Sequence, residues 1–389
     1  MAPVHDVVIV GAGLLGLAAA RAVAARDRDF VVLEQAEIGH SGAGSKGSCR
    51  IFRLGYPEPD YVSAAKRARD LWRDLEAETG RQILLPTPHL TFGPQLAAVH
   101  DAMRHAGAPC ELLTGDEVAA RFPEVQVGGP ALLETESCVT AADQALNALA
   151  TAAGLVDPAD PTGHSGPAGA RLRTGVRVTA VADDGAQVLL QTQAGPVTAR
   201  AAILTAGPWT AGLVGDQIPM RTSPSLEQVA YLAPAAAAQA APIFICYGDQ
   251  SPYGLPVPGS DLYKIGIHPS GPAVDPDAQT REPDDALIER LTQVASRYLP
   301  GYRPAPVSTE RCIYDTTADE DFIVGRSGNV VIGCGTSGHG FKFGPLIGDW
   351  LADLALGTSV GPPSGLGSAE LAAALSARFN PARFRPARS

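Results

Sequence analysis

No Cys-x-x-Cys pair occurs in this chain and no histidine stands at a spacing suited to zinc, so no metal site is expected. The six cysteines, Cys49, Cys110, Cys138, Cys246, Cys312 and Cys334, are scattered, which argues against a disulfide framework and makes a small buried hydrophobe the ordinary reading of each. A basic stripe is missing as well. The formal net charge of −11 suits a soluble protein and disfavours nucleic acid as a partner, because phosphate binding needs a positive face. No uninterrupted apolar run is long enough for a membrane span: the stretch from Val7 to Ala25 is broken by three glycines and Arg21, and reads as strand plus helix. The opening MAPVHDVVIV has neither a charged n-region nor a cleavage site, so the expected location is cytoplasmic. No repeat of solenoid type is found. With 389 residues, the chain has room for two domains and a large core.

What is present begins with VVIVGAGLLGLAAARAVAARDRDFVVLE. Val7 to Val10 suit a strand buried on both faces, and Leu14 to Ala25 are strong helix formers. Between them lies a Gly-x-Gly-x-x-Gly turn at Gly11, Gly13 and Gly16. Gly11 permits the tight turn. Gly13 removes the side chain that would hold a pyrophosphate away from the helix N-terminus, and Gly16 lets helix and strand pack closely. Glu34 closes the next strand, about twenty residues on, where a carboxylate can accept from a ribose diol and argues against a ribose phosphate. The expected ligand is a dinucleotide of the FAD or NAD type.

Further along, His40 to Tyr61 reads as a Gly- and Ser-rich loop that visits a ligand and carries Lys46, Arg50 and Arg53. Helices are expected over Asp60–Glu78, Leu96–His105, Thr114–Arg121, Ala141–Ala153, Asp284–Tyr298 and Gly344–Leu356. Strands are expected at Ala201–Thr205, Gln228–Ala233, Ile243–Tyr247 and Tyr263–His268. Gly154–Gly175 reads as an exposed loop, and LAPAAAAQAAP as a surface turn or short helix. The segment NVVIGCGTSGHGFKFGPLIGDWLADLAL repeats the opening logic of strand, Gly-rich turn and helix, so two such turns can converge on one elongated cofactor.

GAGLLG, SKGSCRIFRLGYPEPDY, YKIGIH, RCIYDTTADEDFIVG and GTSGHGFKFGPLIG follow one another in an order that resembles the flavoprotein amine oxidase family of monomeric sarcosine oxidase and N-methyltryptophan oxidase, over essentially the whole chain. The resemblance implies an α/β fold: a Rossmann-like FAD-binding domain from 1–80, 141–221 and 311–389, and an α+β antiparallel-sheet substrate domain from 81–140 and 222–310. It implies that Cys312 is joined to the flavin ring, with the adjacent Arg311 favouring the thiolate; otherwise Cys312 is a buried strand cysteine. Lys264 matches the lysine that activates dioxygen, against a strand-edge lysine reaching water. Arg53 and Lys342 match the pair that holds the substrate carboxylate, and Arg50 serves the flavin more than the substrate; surface charge on a mobile loop is the plain alternative for both arginines. His268 matches a pocket histidine or is a structural one. Tyr253 and Tyr314 match pocket aromatics, and core packing is an equal reading of either. Lys46, Val178, Gly207, Trp209, Gly338 and Gly340 complete the implied cofactor contacts.

Three departures bear on the substrate. Lys46 stands where sarcosine oxidase has a histidine, Cys49 where it has a threonine, and Thr336 where a bulky aromatic precedes Ser-Gly-His-Gly. The last should widen the pocket beyond sarcosine. The expected reaction is oxidation of the C–N bond of a secondary amino acid by a monomer, giving an imine and, from dioxygen, hydrogen peroxide. The alternatives are a cyclic imino acid as substrate, or a dehydrogenase that hands electrons to a protein partner.

Overall fold

The computed structural model describes residues 4–157, 171–215, 218–235, 241–248, 250–358, 366 and 368–384. Most of the expected Gly154–Gly175 loop and the alanine-rich run at 236–240 lie outside them. Among the described residues, two large sheets and a small one carry the fold, which is mixed α/β.

In the first sheet, Val4–Val10 lies between Phe30–Leu33 and Val197–Leu204 and is parallel to both. Val7, Val8 and Ile9 are fully buried, as the β-branched run requires of a strand covered on both faces. Val197–Leu204 forks along its length: its first half pairs antiparallel with Val188–Thr192, and its second half pairs parallel with Val330–Cys334. Leu172–Arg173, inside the expected loop, adds a parallel edge strand beside Phe30–Leu33. Helix Leu14–Ala24 packs on helix Gly344–Leu356, where a Cβ on Gly348 would come within 2.5 Å of Ala18.

The second sheet runs in the order Ser308–Thr316, Ser223–Leu232, Tyr263–Ile267, Pro252–Pro256, Ile243–Cys246, His89–Phe92, Ala131–Glu134 and Glu111–Leu113. Every neighbouring pair is antiparallel except Ile243–Cys246 with His89–Phe92. Helix Asp285–Tyr298 starts on an Asp284 carboxylate that accepts from the Ala286 and Leu287 N–H groups, and it buries Leu291, Val294 and Ala295 against this sheet. The boundary expected at 311 falls inside the strand Ser308–Thr316. A three-stranded sheet, Cys49–Phe52, Cys138–Ala141 and Leu84–Pro86, stands beside the two. Helix Pro59–Thr79 has proline in its first turn and ends on left-handed Gly80.

Candidate active site

A cavity of about 1020 Å³ is lined from both large sheets, at the upper end of the roughly 300–1,000 Å³ usual for small-molecule sites. Its wall carries every residue singled out above as catalytic or cofactor-binding except Gly16. That glycine instead packs behind the turn, where a Cβ would run into the Gly11 carbonyl oxygen.

One end of the cavity is a backbone cradle. Gly11 has φ +97° and sits so close to the next strand that a Cβ would lie 2.6 Å from the Thr205 carbonyl oxygen. A Cβ on Gly13 would meet only the Ser45 hydroxyl, at 3.3 Å, so the approach to the helix N-terminus stays open. Ser45 accepts from the Leu14 N–H at 3.0 Å. The Glu34 carboxylate is 6% exposed and accepts from the N–H groups of Ala12 and Ala36 at 2.7 and 2.8 Å. Val178 and left-handed Gly207 stand nearby in the wall. Trp209 donates through Nε1 to Asp277 at 2.7 Å, and Arg177 donates to the other Asp277 oxygen at 2.6 Å, so a loop after the second sheet's Tyr263–Ile267 strand is tied across this end. A glycine turn open towards a helix N-terminus, with a fixed carboxylate beyond it, fits the phosphates and ribose of FAD.

The other end is built from buried charges. Lys264 is 5% exposed and lies inside the second sheet, opposite Tyr231 on one side and Leu255 on the other, so it is not a strand-edge lysine reaching water. Its Nζ donates to the Cys49 carbonyl at 3.4 Å. Burial and the nearby Arg50 pull its pKa below the ordinary lysine value. Arg50 is held by the carbonyls of Cys49, Gly44 and Lys46 and lies 5.5 Å from the Phe341 ring centre. Lys46 pairs with Glu310 at 3.0 Å, and the Tyr231 hydroxyl donates to the same carboxylate at 2.8 Å.

Along Ser308–Thr316 the side chains alternate, so Glu310, Cys312 and Tyr314 share one face, while Arg311, Ile313 and Asp315 take the other and are buried. This corrects the pairing expected of Arg311 with Cys312: Arg311 donates to the carbonyls of Leu226 and Glu282, away from the thiol. Burial pushes the Cys312 thiol up, and the cations that oppose this are Lys264 and Arg50. Tyr314 lies beside Tyr253 and stands 5.5 Å from the His268 ring. A Cβ on either Gly266 or Gly338 would collide with one of these two tyrosine rings. Burial lowers the pKa of His268, which favours its neutral form.

Arg53 and Lys342 meet at Tyr56. The Arg53 guanidinium carbon lies 3.8 Å from the Tyr56 ring centre, and Lys342 Nζ donates at 2.8 Å both to the Tyr56 hydroxyl and to the His339 carbonyl. Tyr56 in turn lies 3.2 Å from His339 Nδ1, while His339 Nε2 donates to the Glu320 carbonyl at 3.0 Å. Gly338 and Gly340 flank this histidine and allow the turn close to Tyr314 and Thr336. Burial, with Arg53 beside it, holds Lys342 well below the ordinary lysine value.

Sequence reasoning did not find Glu134, which is fully buried at the end of a strand of the second sheet. Its carboxylate accepts from the N–H groups of Leu54 and Gly55 at 2.8 and 3.1 Å and from His89 Nδ1 at 2.7 Å, and so fixes the backbone just after Arg53. Burial pushes this carboxyl up, but His89, the Leu54 N–H and Arg53 outweigh it and hold the group below the usual carboxylate range. An acid ending the apolar run ALLE carries no local signal of that task.

No helix among the described residues is long and apolar enough to cross a membrane. Compared with proteins of known identity, the chain is 31% identical to human peroxisomal sarcosine oxidase over 376 residues, covering 90% of this chain and 92% of the relative. It is 30% identical to monomeric sarcosine oxidase of Bacillus sp. (strain B-0618), at the same coverage. Among solved structures, NikD, described as an unusual amino acid oxidase essential for nikkomycin biosynthesis, superposes with a TM-score of 0.78 at 26% identity, covering 91% of this chain and 94% of NikD. The model of the FAD dependent oxidoreductase family matches residues 6–354, and the chain belongs to that family.

Proposed function

We propose that the protein oxidises the C–N bond of a secondary amino acid larger than sarcosine, as a monomer in the cytoplasm, and releases hydrogen peroxide. The observation that carries this reading is the placement of two buried cations, Arg53 and Lys342, on one tyrosine ring in a cavity whose far end is a dinucleotide cradle. Bound in this cavity, FAD would supply two-electron chemistry, the oxidation of the carbon next to nitrogen with dioxygen as the final acceptor. The chain does the rest. Gly11, Gly13 and Glu34 hold the nucleotide, and Cys312 is the proposed point of covalent attachment. Arg53 and Lys342 hold the carboxylate and so fix the α-carbon. His268, beside Tyr314 and shifted by burial towards its neutral form, adds little positive charge at the wall that an incoming amine meets. Lys264 is a fixed positive charge for an oxygen that gains electrons. Thr336 leaves room for a substituent beyond methyl. The sarcosine oxidase relatives support the substrate class, and the Bacillus relative, a monomeric sarcosine oxidase, supports the monomeric state.

Mass spectrometry of the denatured protein, wild type against Cys312→Ala, tests the attachment: a flavin-sized increment present only in the wild type is the expected result. Peroxide formation across a panel of N-alkyl amino acids then tests the reaction. Formaldehyde among the products marks an N-methyl substrate, and peroxide from a cyclic imino acid alone would replace the proposed substrate class.

A further inference from the structure

Two buried donors in the cavity wall, Arg53 Nη1 and the Tyr247 hydroxyl, make no well-formed hydrogen bond, although the guanidinium and the hydroxyl lie close enough to attract one another. They are neighbours, since the Arg53 guanidinium carbon lies 5.5 Å from the centre of the Tyr247 ring. An unpaired buried donor costs about 1–3 kcal/mol, and two of them side by side in the wall of a ligand cavity call for one group that accepts from both. Lys342 is in the opposite position, because two of its three protons are already taken by the Tyr56 hydroxyl and the His339 carbonyl. Lys342 keeps one free proton, and the remaining hydrogen-bonding capacity at this end lies on Arg53 and Tyr247, although the sequence pointed to Arg53 and Lys342.

Tyr247 is also held in place. It follows the strand Ile243–Cys246, and its N–H donates to the Phe92 carbonyl at 2.9 Å. Gly93, with φ +98°, lets the two segments touch, since a Cβ there would run into the Tyr247 carbonyl oxygen. Burial raises the pKa of the Tyr247 hydroxyl, so it remains a donor through neutral pH.

We propose that Tyr247 is the third arm of the carboxylate clamp: its hydroxyl and Arg53 Nη1 donate together to the substrate carboxylate, while Lys342, fixed on Tyr56, contributes charge. A carboxylate has two oxygens and can accept from both donors at once, whereas an amide presents one acceptor and two protons of its own. The clamp therefore selects amino acids over amines and amides. This inference rests on the amino-acid oxidase reading above.

The test uses flavin-loaded protein and two unreactive ligands of the same shape, propanoate and propanamide, with affinities read by calorimetry. Tyr247→Phe keeps the ring and removes only the hydroxyl. It should weaken propanoate by roughly 5- to 30-fold and leave propanamide unchanged. An unchanged propanoate affinity, or an equal loss for both ligands, overturns the inference. Arg53→Gln serves as the reference. If it abolishes propanoate binding while Tyr247→Phe has no effect, the third arm alone falls. If it too has no effect, or if the wild type does not distinguish the two ligands, the amino-acid reading falls with it.

Discussion

The two ends of the cavity are made in different ways. The nucleotide end is built around one short stretch, Gly11 to Glu34, whose contacts are largely backbone to backbone or backbone to carboxylate, with Ser45, Val178, Gly207 and Trp209 completing the wall. The reacting end draws Arg53, Glu134, Tyr247, Lys264, Cys312 and Lys342 from six separate segments, and its charges are buried. A local motif can bind a common cofactor because backbone N–H groups and glycine suffice for phosphates. Charges can be held out of water only where distant partners converge, so the reacting end is where long-range packing decides the chemistry.

The sharpest way to break this contrast is Glu134→Ala. It strands the Leu54 and Gly55 N–H groups and His89 and leaves Arg53 without a nearby carboxylate, so denaturant unfolding should show a loss of about 3–5 kcal/mol. The pH dependence follows from the depressed native pKa of this carboxyl. Its stabilisation is complete above the unfolded-state value of about 4.3 and fades as pH falls through the native value, so the variant should lose part of the acid limb of the stability curve. Next in size is Lys264→Met, which keeps the bulk and removes the charge. Stopped-flow mixing of the reduced variant with dioxygen should show a rate lower by about 10²–10³, with anaerobic reduction by substrate much less affected. The smallest effect belongs to the nucleotide end. Asp277→Ala breaks half-exposed contacts to Trp209 and Arg177, so stability should change by no more than about 1 kcal/mol, while flavin release from a Cys312→Ala background should become measurably faster. A large loss of stability here would remove the contrast.

Legibility in the sequence follows the same division. The glycine turn, Glu34 and the opening strand and helix are readable because their signals sit within thirty residues of each other. Lys264 is readable because a lysine inside an apolar strand is expensive to bury without a purpose. Helix Leu96–His105 falls where the pattern put it, and Asp285–Tyr298 and Gly344–Leu356 match within a residue. Glu134 and Tyr247 are not readable, because each gains its meaning from a neighbour on another strand. The strand Pro252–Pro256 was also missed. Two prolines argue against a strand, yet here they stand at its two ends, and the residues between them pair on both sides. Arg311 misled for a geometric reason: adjacent residues on a strand point to opposite faces, so a neighbour in sequence is not a neighbour in space.

The packing of helix Leu14–Ala24 on helix Gly344–Leu356 has a consequence for how the protein is born. The helix of the cradle spans Leu14–Ala24 and the helix that covers its back spans Gly344–Leu356, so a long stretch of chain is made between the two. Until the second helix is made, the face of the first helix that it covers lacks that partner. The first motif thus depends on a contact that is very distant in sequence, and deletion of Gly344–Leu356 should destabilise it.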